Sequence, residues 1–236
     1  MTLWLFTFGI ILLSALVQSS TGFGFAIVAI PLLLLLHDGH YAVTLSIVLS
    51  LFSGLTTLPR VYKEADLGVL GKLIRGSLLG LPLGGLVFLL VDVGLLKLLV
   101  SMAILLFTIP LLFKIRLPLG QGGAIGIISG LLTSSVGMPG PPLVLFLNSR
   151  QMEKGAFRGT SIAYFCTVYP ITLAIHLITG RVPLSLLLMA LAMIPAILIG
   201  QAMGSWIHNR ISPAWFRRLT FVLLIGTALN ALKDAF

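Results

Sequence analysis

Charged side chains are scarce in this 236-residue chain. They make up 9% of the residues, whereas hydrophobic residues make up 58%. Soluble domains carry roughly 25% charged residues, so the composition excludes a water-soluble protein of this length. Apolar runs long enough to cross a hydrocarbon core of about 30 Å recur along the chain. The composition therefore predicts an all-α polytopic membrane protein in which residues 1–236 form one membrane domain.

Acidic residues and metal-binding side chains are also few. The single cysteine, Cys166, excludes an internal disulfide and any Cys-based zinc or iron–sulfur cluster. The sequence contains no HExxH motif, no clustered histidines and no P-loop pattern. We therefore expect neither an enzyme nor an ATP-driven pump, and no cofactor and no metal. All six acids fall in predicted loops or helix ends: Asp38, Glu64, Asp66, Asp92, Glu153 and Asp234.

Two of the apolar segments, residues 3–36 and 121–147, are interrupted by polar residues and glycine. The interruptions read "QSSTGFGF" (Gln18–Phe25) and "TSSVGMPGPP" (Thr133–Pro142). Each segment is too long for one straight span, and halves of about 7 to 15 residues are typical of re-entrant pieces. Six other segments predict ordinary transmembrane helices: Tyr41–Leu58, Lys72–Val91, Leu95–Phe113, Gly159–Thr179, Leu184–Ile207 and Trp215–Leu232.

The two interrupted segments resemble each other. A shift of 115 positions aligns Gly9–Gly22 with Ala124–Gly137, and six of the fourteen positions are identical, including three serines and the last glycine. Each segment precedes three predicted spans, the second of which carries small residues at a spacing of four, which lets helices approach closely. These are Gly76, Gly80 and Gly84, and Ala196, Gly200 and Gly204. We interpret the chain as two repeats, about 1–116 and 117–236.

The distribution of Lys and Arg favours hairpins over crossings for the interrupted segments. If each segment crosses once, the two sides hold eight and seven basic residues, which is no bias. If each segment returns to its own side, twelve basic residues share one side, as expected for cytoplasmic loops. The twelve are Arg60, Lys63, Lys72, Arg75, Lys114, Arg116, Arg150, Lys154, Arg158, Arg210, Arg217 and Arg218. The three on the other side are Lys97, Arg181 and Lys233.

This topology predicts two inverted repeats, each a broken re-entrant helical hairpin followed by three transmembrane helices. Both termini would lie outside, and the two hairpin tips would meet near the midplane. Inverted repeats with broken helices at the midplane are typical of secondary transporters. The net charge of +9 then serves topology and not nucleic-acid binding.

The predicted tips suit a small oxyanion. Glycine permits the turn, hydroxyl and amide groups can donate, and the N-terminus of each returning half-helix is positively polarised. The alternative is that such Ser/Gly patches serve only packing and interhelical hydrogen bonds. The candidate binding residues are Gln18, Ser19, Ser20, Thr21, Gly22, Gly24, Thr133, Ser134, Ser135, Gly137, Pro139 and Gly140.

Four residues outside the tips are further candidates for lining the path. Thr44 and Thr160 lie in the first turns of the helices that follow the hairpins, where they line the path or cap the helix. Arg158 borders the second hairpin on the predicted cytoplasmic side, where it attracts anions or sets topology. His176 lies toward the outer end of its span, as a functional intramembrane histidine or an interface residue.

The chain resembles the TauE/SafE-type sulfite exporters, the toluene-sulfonate uptake permease family. The resemblance covers essentially the whole length and rests on "SSTGFGFAIVAIPLL" with the following "AVTLS", and on "GIISGLLTSSVGMPGPPLVLFL" with the following "FRGTS". It implies export of sulfite, sulfonates or related sulfur-containing or organic anions across the bacterial inner membrane. Many members have a denser "GxGGG" at both tips. Phe23, Phe25 and Met138 stand near the tips here, and they would suit an anion with an organic tail.

We therefore expect a secondary transporter whose partners are a small anion and the lipid bilayer. Export would be driven by the membrane potential, at about 2.3 kcal/mol per charge per 100 mV, or by protons through a route without carboxylates. A passive anion channel of the same architecture is the alternative. The duplicated polar tips argue against a membrane scaffold without transport.

Overall fold

The computed structural model describes residues 2–112, 122–180 and 182–208, and every regular element in these ranges is helical. A short 3₁₀ turn, Tyr62–Glu64, joins the third and fourth helices. The helices are α1 (Thr2–Thr21), α2 (Phe25–Leu33), α3 (Gly39–Val61), α4 (Leu67–Leu90), α5 (Val93–Leu112), α6 (Gly122–Val136), α7 (Gly140–Ser149), α8 (Lys154–Ile178), α9 (Leu184–Ala192) and α10 (Ile194–His208).

The predicted transmembrane segments correspond closely to these helices. Five helical stretches are long and apolar enough to cross a membrane, and four of them coincide with predicted ordinary spans. The span predicted at Leu184–Ile207 is interrupted at Met193, two residues before Pro195, whose ring removes a main-chain N–H from the helix. The last predicted span, Trp215–Leu232, lies outside the described residues.

The first interrupted segment folds back on itself. After α2 the chain returns alongside the start of α1, where His37 Nε2 lies 3.0 Å from Thr7 Oγ1. The hairpin is asymmetric, because α1 holds 20 residues and is about 30 Å long. The expected half of 7 to 15 residues was wrong for α1, since Gln18–Thr21 remain helical instead of breaking the helix.

The second interrupted segment also begins and ends at one place. Gly122, at the start of α6, packs against the Lys72 side chain near the start of α4. Gly155, in the first turn of α8, packs against the Glu64 carboxylate just before α4. Residues 122–153 therefore enter and return at the same end of the molecule.

These contacts group the loops at two ends of the bundle. The main-chain N–H of Asp66 donates to Thr160 Oγ1 at 2.9 Å, so the α3–α4 and α7–α8 connections share one end. Gly39 packs against Val93 at the opposite end, where Tyr41 Oη also lies 3.5 Å from the Ser185 carbonyl. Arg60 and Lys154 are thus at one end and Lys97 near the other, which agrees with hairpins and contradicts single crossings.

Helices α3 and α8 form the centre of the bundle and run antiparallel. At one end of the pair, Thr44 Oγ1 lies 3.0 Å from His176 Nδ1. At the other end, Gly159 packs against the Val61 carbonyl. The two helices begin at positions related by the same shift of 115 that aligns the interrupted segments.

The glycine ladders predicted from the sequence are helix contacts. In α4, Gly80 and Gly84 lie directly on the main chain of α6, where a methyl group would collide with the carbonyls of Ile127 and Leu131. In α10, Gly200 contacts the Leu12 carbonyl of α1 in the same manner. Leu12 and Ile127 are themselves related by the shift of 115. Each half of the chain therefore packs its ladder helix on the long hairpin helix of the other half.

Candidate functional site

Both hairpin tips turn at glycine in the left-handed region. Gly22, Gly24 and Gly137 have φ angles of 84°, 100° and 74°, where other L-residues pay about 1–2 kcal/mol. The Gly22 N–H closes α1 on the Gln18 carbonyl at 2.8 Å, and the Gly137 N–H closes α6 on the Thr133 carbonyl at 3.0 Å. The predicted turn glycines are therefore the residues that end the two long hairpin helices.

The hydroxyl groups of the first tip bind main-chain carbonyls. Ser19 Oγ donates to the Gln201 carbonyl at 2.9 Å, and Ser20 Oγ donates to the Gly204 carbonyl at 3.1 Å. Thr21 Oγ1 lies within hydrogen-bond distance of the Val17 and Phe23 carbonyls. These side chains join α1 to α10 or close the tip, which is the packing role considered above.

A buried amide network lies next to this tip. Gln18 is 3% exposed, and its Oε1 accepts a hydrogen bond from Ser53 Oγ of α3 at 2.7 Å. Gln201 Nε2 of α10 donates to Ser53 and Thr56 at 2.9–3.0 Å, and Thr56 Oγ1 also lies 3.1 Å from Gln201 Oε1. Sequence reasoning missed Ser53 and Gln201. The sequence feature that could have identified Gln201 is its side-chain amide within an otherwise apolar predicted span.

The hydroxyls of the second tip are similarly engaged. Thr133 Oγ1 donates to the Ser129 carbonyl, and Ser135 Oγ donates to the Leu131 carbonyl at 2.7 Å. Ser134 Oγ lies 3.2 Å from Thr172 Oγ1 of α8. The hydroxyl protons at both tips are thus largely committed to protein acceptors. An anion at the tips would therefore need hydrogen-bond donors other than these hydroxyl groups.

His176 is buried inside the bundle, in the last turn of α8. Its exposed fraction is 0%, and its Nε2 lies 3.1 Å from the Ser134 carbonyl of the second tip. Its other ring nitrogen contacts Thr44 of α3, and its ring stacks on Phe88 of α4 at 3.9 Å between centroids. The His176 imidazole therefore joins four helices beside the second tip. A second histidine also contacts Phe88, since His40 Nε2 lies 3.1 Å from the Phe88 carbonyl.

Neither predicted threonine caps its own helix. Asp38 caps α3 by accepting from the His40 N–H at 3.0 Å, and Thr44 binds His176 instead. Thr160 accepts from the Asp66 N–H at 2.9 Å and so supports the start of α4. Capping, the alternative reading for this pair, is therefore wrong for both residues, whose contacts join different helices.

Arg158 lies at the first tip, although in sequence it follows the second hairpin. A methyl group at Gly22 would stand 2.9 Å from Arg158 Cγ. The Nε atom of Arg158 is buried and has no hydrogen-bond partner among the described residues. The aliphatic stem of Arg158 therefore packs on the turn between α1 and α2, and sequence adjacency gave the wrong neighbour for this residue.

The remaining tip residues pack in the interior. Phe23 meets Phe157 edge to face at 5.9 Å between centroids, and Met138 is fully buried. Pro139 is the N-cap of α7, and Gly140 at the start of α7 lies against Ile27 of α2. The first turns of the two returning helices are thus in contact.

Carboxylates lie at helix ends within the part of the chain that the structure describes. Asp38, Asp66 and Asp92 accept hydrogen bonds from main-chain N–H groups that begin α3, α4 and α5. Glu64 lies in the 3₁₀ turn and Glu153 precedes α8. No cluster of His, Cys, Asp and Glu able to hold a metal ion occurs among these described residues. Asp234 lies outside them.

Comparisons with known proteins point to one family. A family model described as "Sulfite exporter TauE/SafE" matches residues 7–231. A relative from Cupriavidus necator, named "Probable sulfite/organosulfonate exporter TauE", is 26% identical over 110 residues. That match covers 47% of this chain and 43% of the relative. No solved structure matches the chain significantly.

Proposed function

This chain belongs to the sulfite exporter TauE/SafE family, and we propose that it is a secondary transporter exporting a small sulfur-containing or organic anion. Sulfite and sulfonates are the leading substrates, because the relative from Cupriavidus necator is named for sulfite and organosulfonates. The observation that carries the proposal is the family match, which extends over residues 7–231.

The geometry supports a transporter built from inverted repeats. The repeat-related helices α3 and α8 lie antiparallel, with Thr44 beside His176 at one end and Val61 beside Gly159 at the other. Two hairpins return within the bundle, and the first turns of α2 and α7 meet at Ile27 and Gly140. Broken helices that present their N-termini to a shared position are how secondary transporters bind anions. We propose that the substrate binds between these two turns.

We propose the inner membrane as the location, with the hairpin of α1 and α2 entering from outside. The end that holds Arg60, Lys63 and Lys154 would face the cytoplasm, in accordance with the excess of basic residues in cytoplasmic loops. A cytoplasm-negative potential then drives an anion outward at about 2.3 kcal/mol per charge per 100 mV. The absence of a buried carboxylate among the described residues favours this source of energy over a carboxylate proton relay.

A passive anion channel is the competing function. The tip glycines Gly22, Gly24 and Gly137 are all buried in the structure, whereas an open pore would expose the residues that line it. Buried tips support a carrier, in which the substrate is enclosed before release.

Flux into proteoliposomes tests the proposal. Purified protein should take up sulfite or a small sulfonate, with a rate that saturates as the anion concentration rises, and sulfate should serve as the comparison anion. Protein-free liposomes and the Ser205→Ala variant are the controls, since Ser205 is exposed on α10 and its hydroxyl donates to the Ala202 carbonyl of the same helix. If liposomes with folded protein take up none of these anions faster than empty ones, the proposed function is wrong.

A further inference from the structure

Five buried side-chain polar atoms lack a hydrogen-bond partner among the described residues: Ser50 Oγ, Ser129 Oγ and the three considered next. Arg158 Nε, Ser161 Oγ and Ser46 Oγ have no hydrogen-bond partner in the part of the chain that the structure describes. Ser46 and Ser161 are both 0% exposed. A buried donor without a partner costs about 1–3 kcal/mol, so such groups call for a ligand.

Two of these atoms belong to residues of α8, one of which contacts the first tip. Arg158 packs on Gly22, and Ser161 follows Arg158 by three residues, so both lie on neighbouring turns of one face of α8. Arg158 forms no ion pair within 4.0 Å among the described side chains, and the nearby Glu64 carboxylate lies against Gly155, three residues earlier on α8. We refer to Arg158, Ser161 and the turn at Gly22 as one cluster, in which the Arg158 stem packs on Gly22 and Ser161 lies one helical turn further along α8.

The N-terminus of α2 adds main-chain donors to this cluster. Its N-cap is Gly24, which supplies no side-chain cap, and the first N–H bonded within the helix is that of Val28, to the Gly24 carbonyl. The N–H groups of Phe25, Ala26 and Ile27 have no acceptor within the helix. Free N–H groups at a helix start, together with the helix dipole, favour an anion.

The second tip has fewer charged side-chain donors and fewer main-chain N–H donors than the first. The shift of 115 places Val43 where the first tip has Arg158 and Ser46 where it has Ser161. Gly137 packs on Val43 as Gly22 packs on Arg158. The start of α7 also contains Pro141 and Pro142, which have no N–H to donate. The two tips are therefore equivalent in shape but not in charge.

We propose that the oxyanion head of the substrate binds at the first tip, held by Arg158, Ser161 and the N-terminus of α2. The second tip, which has Ser46 and no cation, is a weaker binding site that the anion occupies before release. This inference rests on the proposed function and assigns its binding groups. It adds one cation, on the side proposed as cytoplasmic, to the hydroxyl, amide and helix-terminus donors predicted from the sequence. An exporter gains from this asymmetry, because the anion is captured at the cationic tip and released from the neutral one.

The test compares matched variants in sided proteoliposomes, with sulfite as the probe. Arg158→Gln should raise the half-saturating concentration on the Arg158 side by roughly tenfold or more, since hydrogen bonds to charged groups are the stronger class. Ser161→Ala should raise it by about fivefold, and Ser46→Ala should raise it less. Arg75→Gln is the control, because it removes the same charge at the same end from an exposed side chain, and it should leave the value unchanged.

Sulfite binding to detergent-purified protein, measured by calorimetry, should rank the variants in the same order without depending on transport. If Arg158→Gln does not fold, Arg158→Lys is the test variant, because lysine keeps the positive charge and the aliphatic stem. Arg158→Lys should still bind sulfite several-fold more weakly than wild type, because lysine lacks the planar set of guanidinium donors. Wild-type flux that saturates while Arg158→Lys and Ser161→Ala both behave like Arg75→Gln overturns this inference alone. Absence of sulfite and sulfonate flux in the wild type overturns the proposed function instead.

Discussion

At the scale of single residues, the polar side chains of the interrupted segments serve the helices more than the turn. Ser20 and Thr21 donate to carbonyls four residues earlier, so α1 continues through a stretch whose composition predicts a break. Polar groups in an apolar bundle must find internal partners, and the main chain is the nearest source. This explains why the glycines were placed correctly from the sequence but the end of α1 was not.

The amide of Gln201 provides a residue-scale prediction. It connects α10 to Ser53 and Thr56 of α3, and through Ser53 to Gln18 of α1. Gln201→Leu leaves Ser53 and Thr56 with fewer partners, which should cost about 1–3 kcal/mol and lower the thermal unfolding midpoint of the purified protein. Ser205→Ala, on the same helix but exposed, should not change it. Equal midpoints for wild type and Gln201→Leu would show that this network contributes little.

At the scale of helices, close packing of main chains explains the small-residue ladders. Sequence spacing alone identified the glycines in α4 and α10, because a spacing of four puts them on one face. It could not identify their partners. The structure pairs α4 with α6 and α10 with α1, so each ladder meets the long hairpin helix of the other half. That pairing joins residues more than forty positions apart and has no local signal.

Glycine substitutions in α4 separate contact from helix propensity. A methyl group at Gly80 would collide with the Ile127 carbonyl, whereas nothing lies within 4 Å of one at Gly71. Gly80→Ala should therefore destabilise the protein by about 1–3 kcal/mol through overpacking. Gly71→Ala should be neutral or stabilising, since alanine is the better helix former by about 1 kcal/mol. The thermal unfolding midpoints of both variants test this prediction. A lower midpoint for Gly71→Ala alone would contradict the packing account.

At the scale of the whole molecule, charge bias and fold agree. The twelve-to-three grouping of basic residues requires both interrupted segments to return to their own side, and the contacts of Gly155 with Glu64 and of His37 with Thr7 show such returns. What the sequence could not supply was the position of Arg158, whose neighbour Gly22 belongs to the other half of the chain. Contacts between segments far apart in the chain depend on how their helices dock, which local patterns do not encode.

Cysteine accessibility tests this topology in cells. In a Cys166→Ala background, Lys63→Cys and Lys154→Cys should be protected from a membrane-impermeant thiol reagent, and Lys97→Cys should react. Labelling after permeabilisation is the control for reactivity. A difference in protection between Lys63→Cys and Lys154→Cys would mean that the second interrupted segment crosses the membrane after all.

The central claim is that the two hairpins form a carrier for a small sulfur-containing anion. The most direct measurement is counterflow of labelled sulfite in proteoliposomes preloaded with unlabelled sulfite. The account predicts that preloading drives transient accumulation of the label above its equilibrium level and that a small sulfonate inside has the same effect. Labelled sulfite that only equilibrates, at a rate proportional to its concentration and unaffected by preloading, would identify a passive channel and contradict the account.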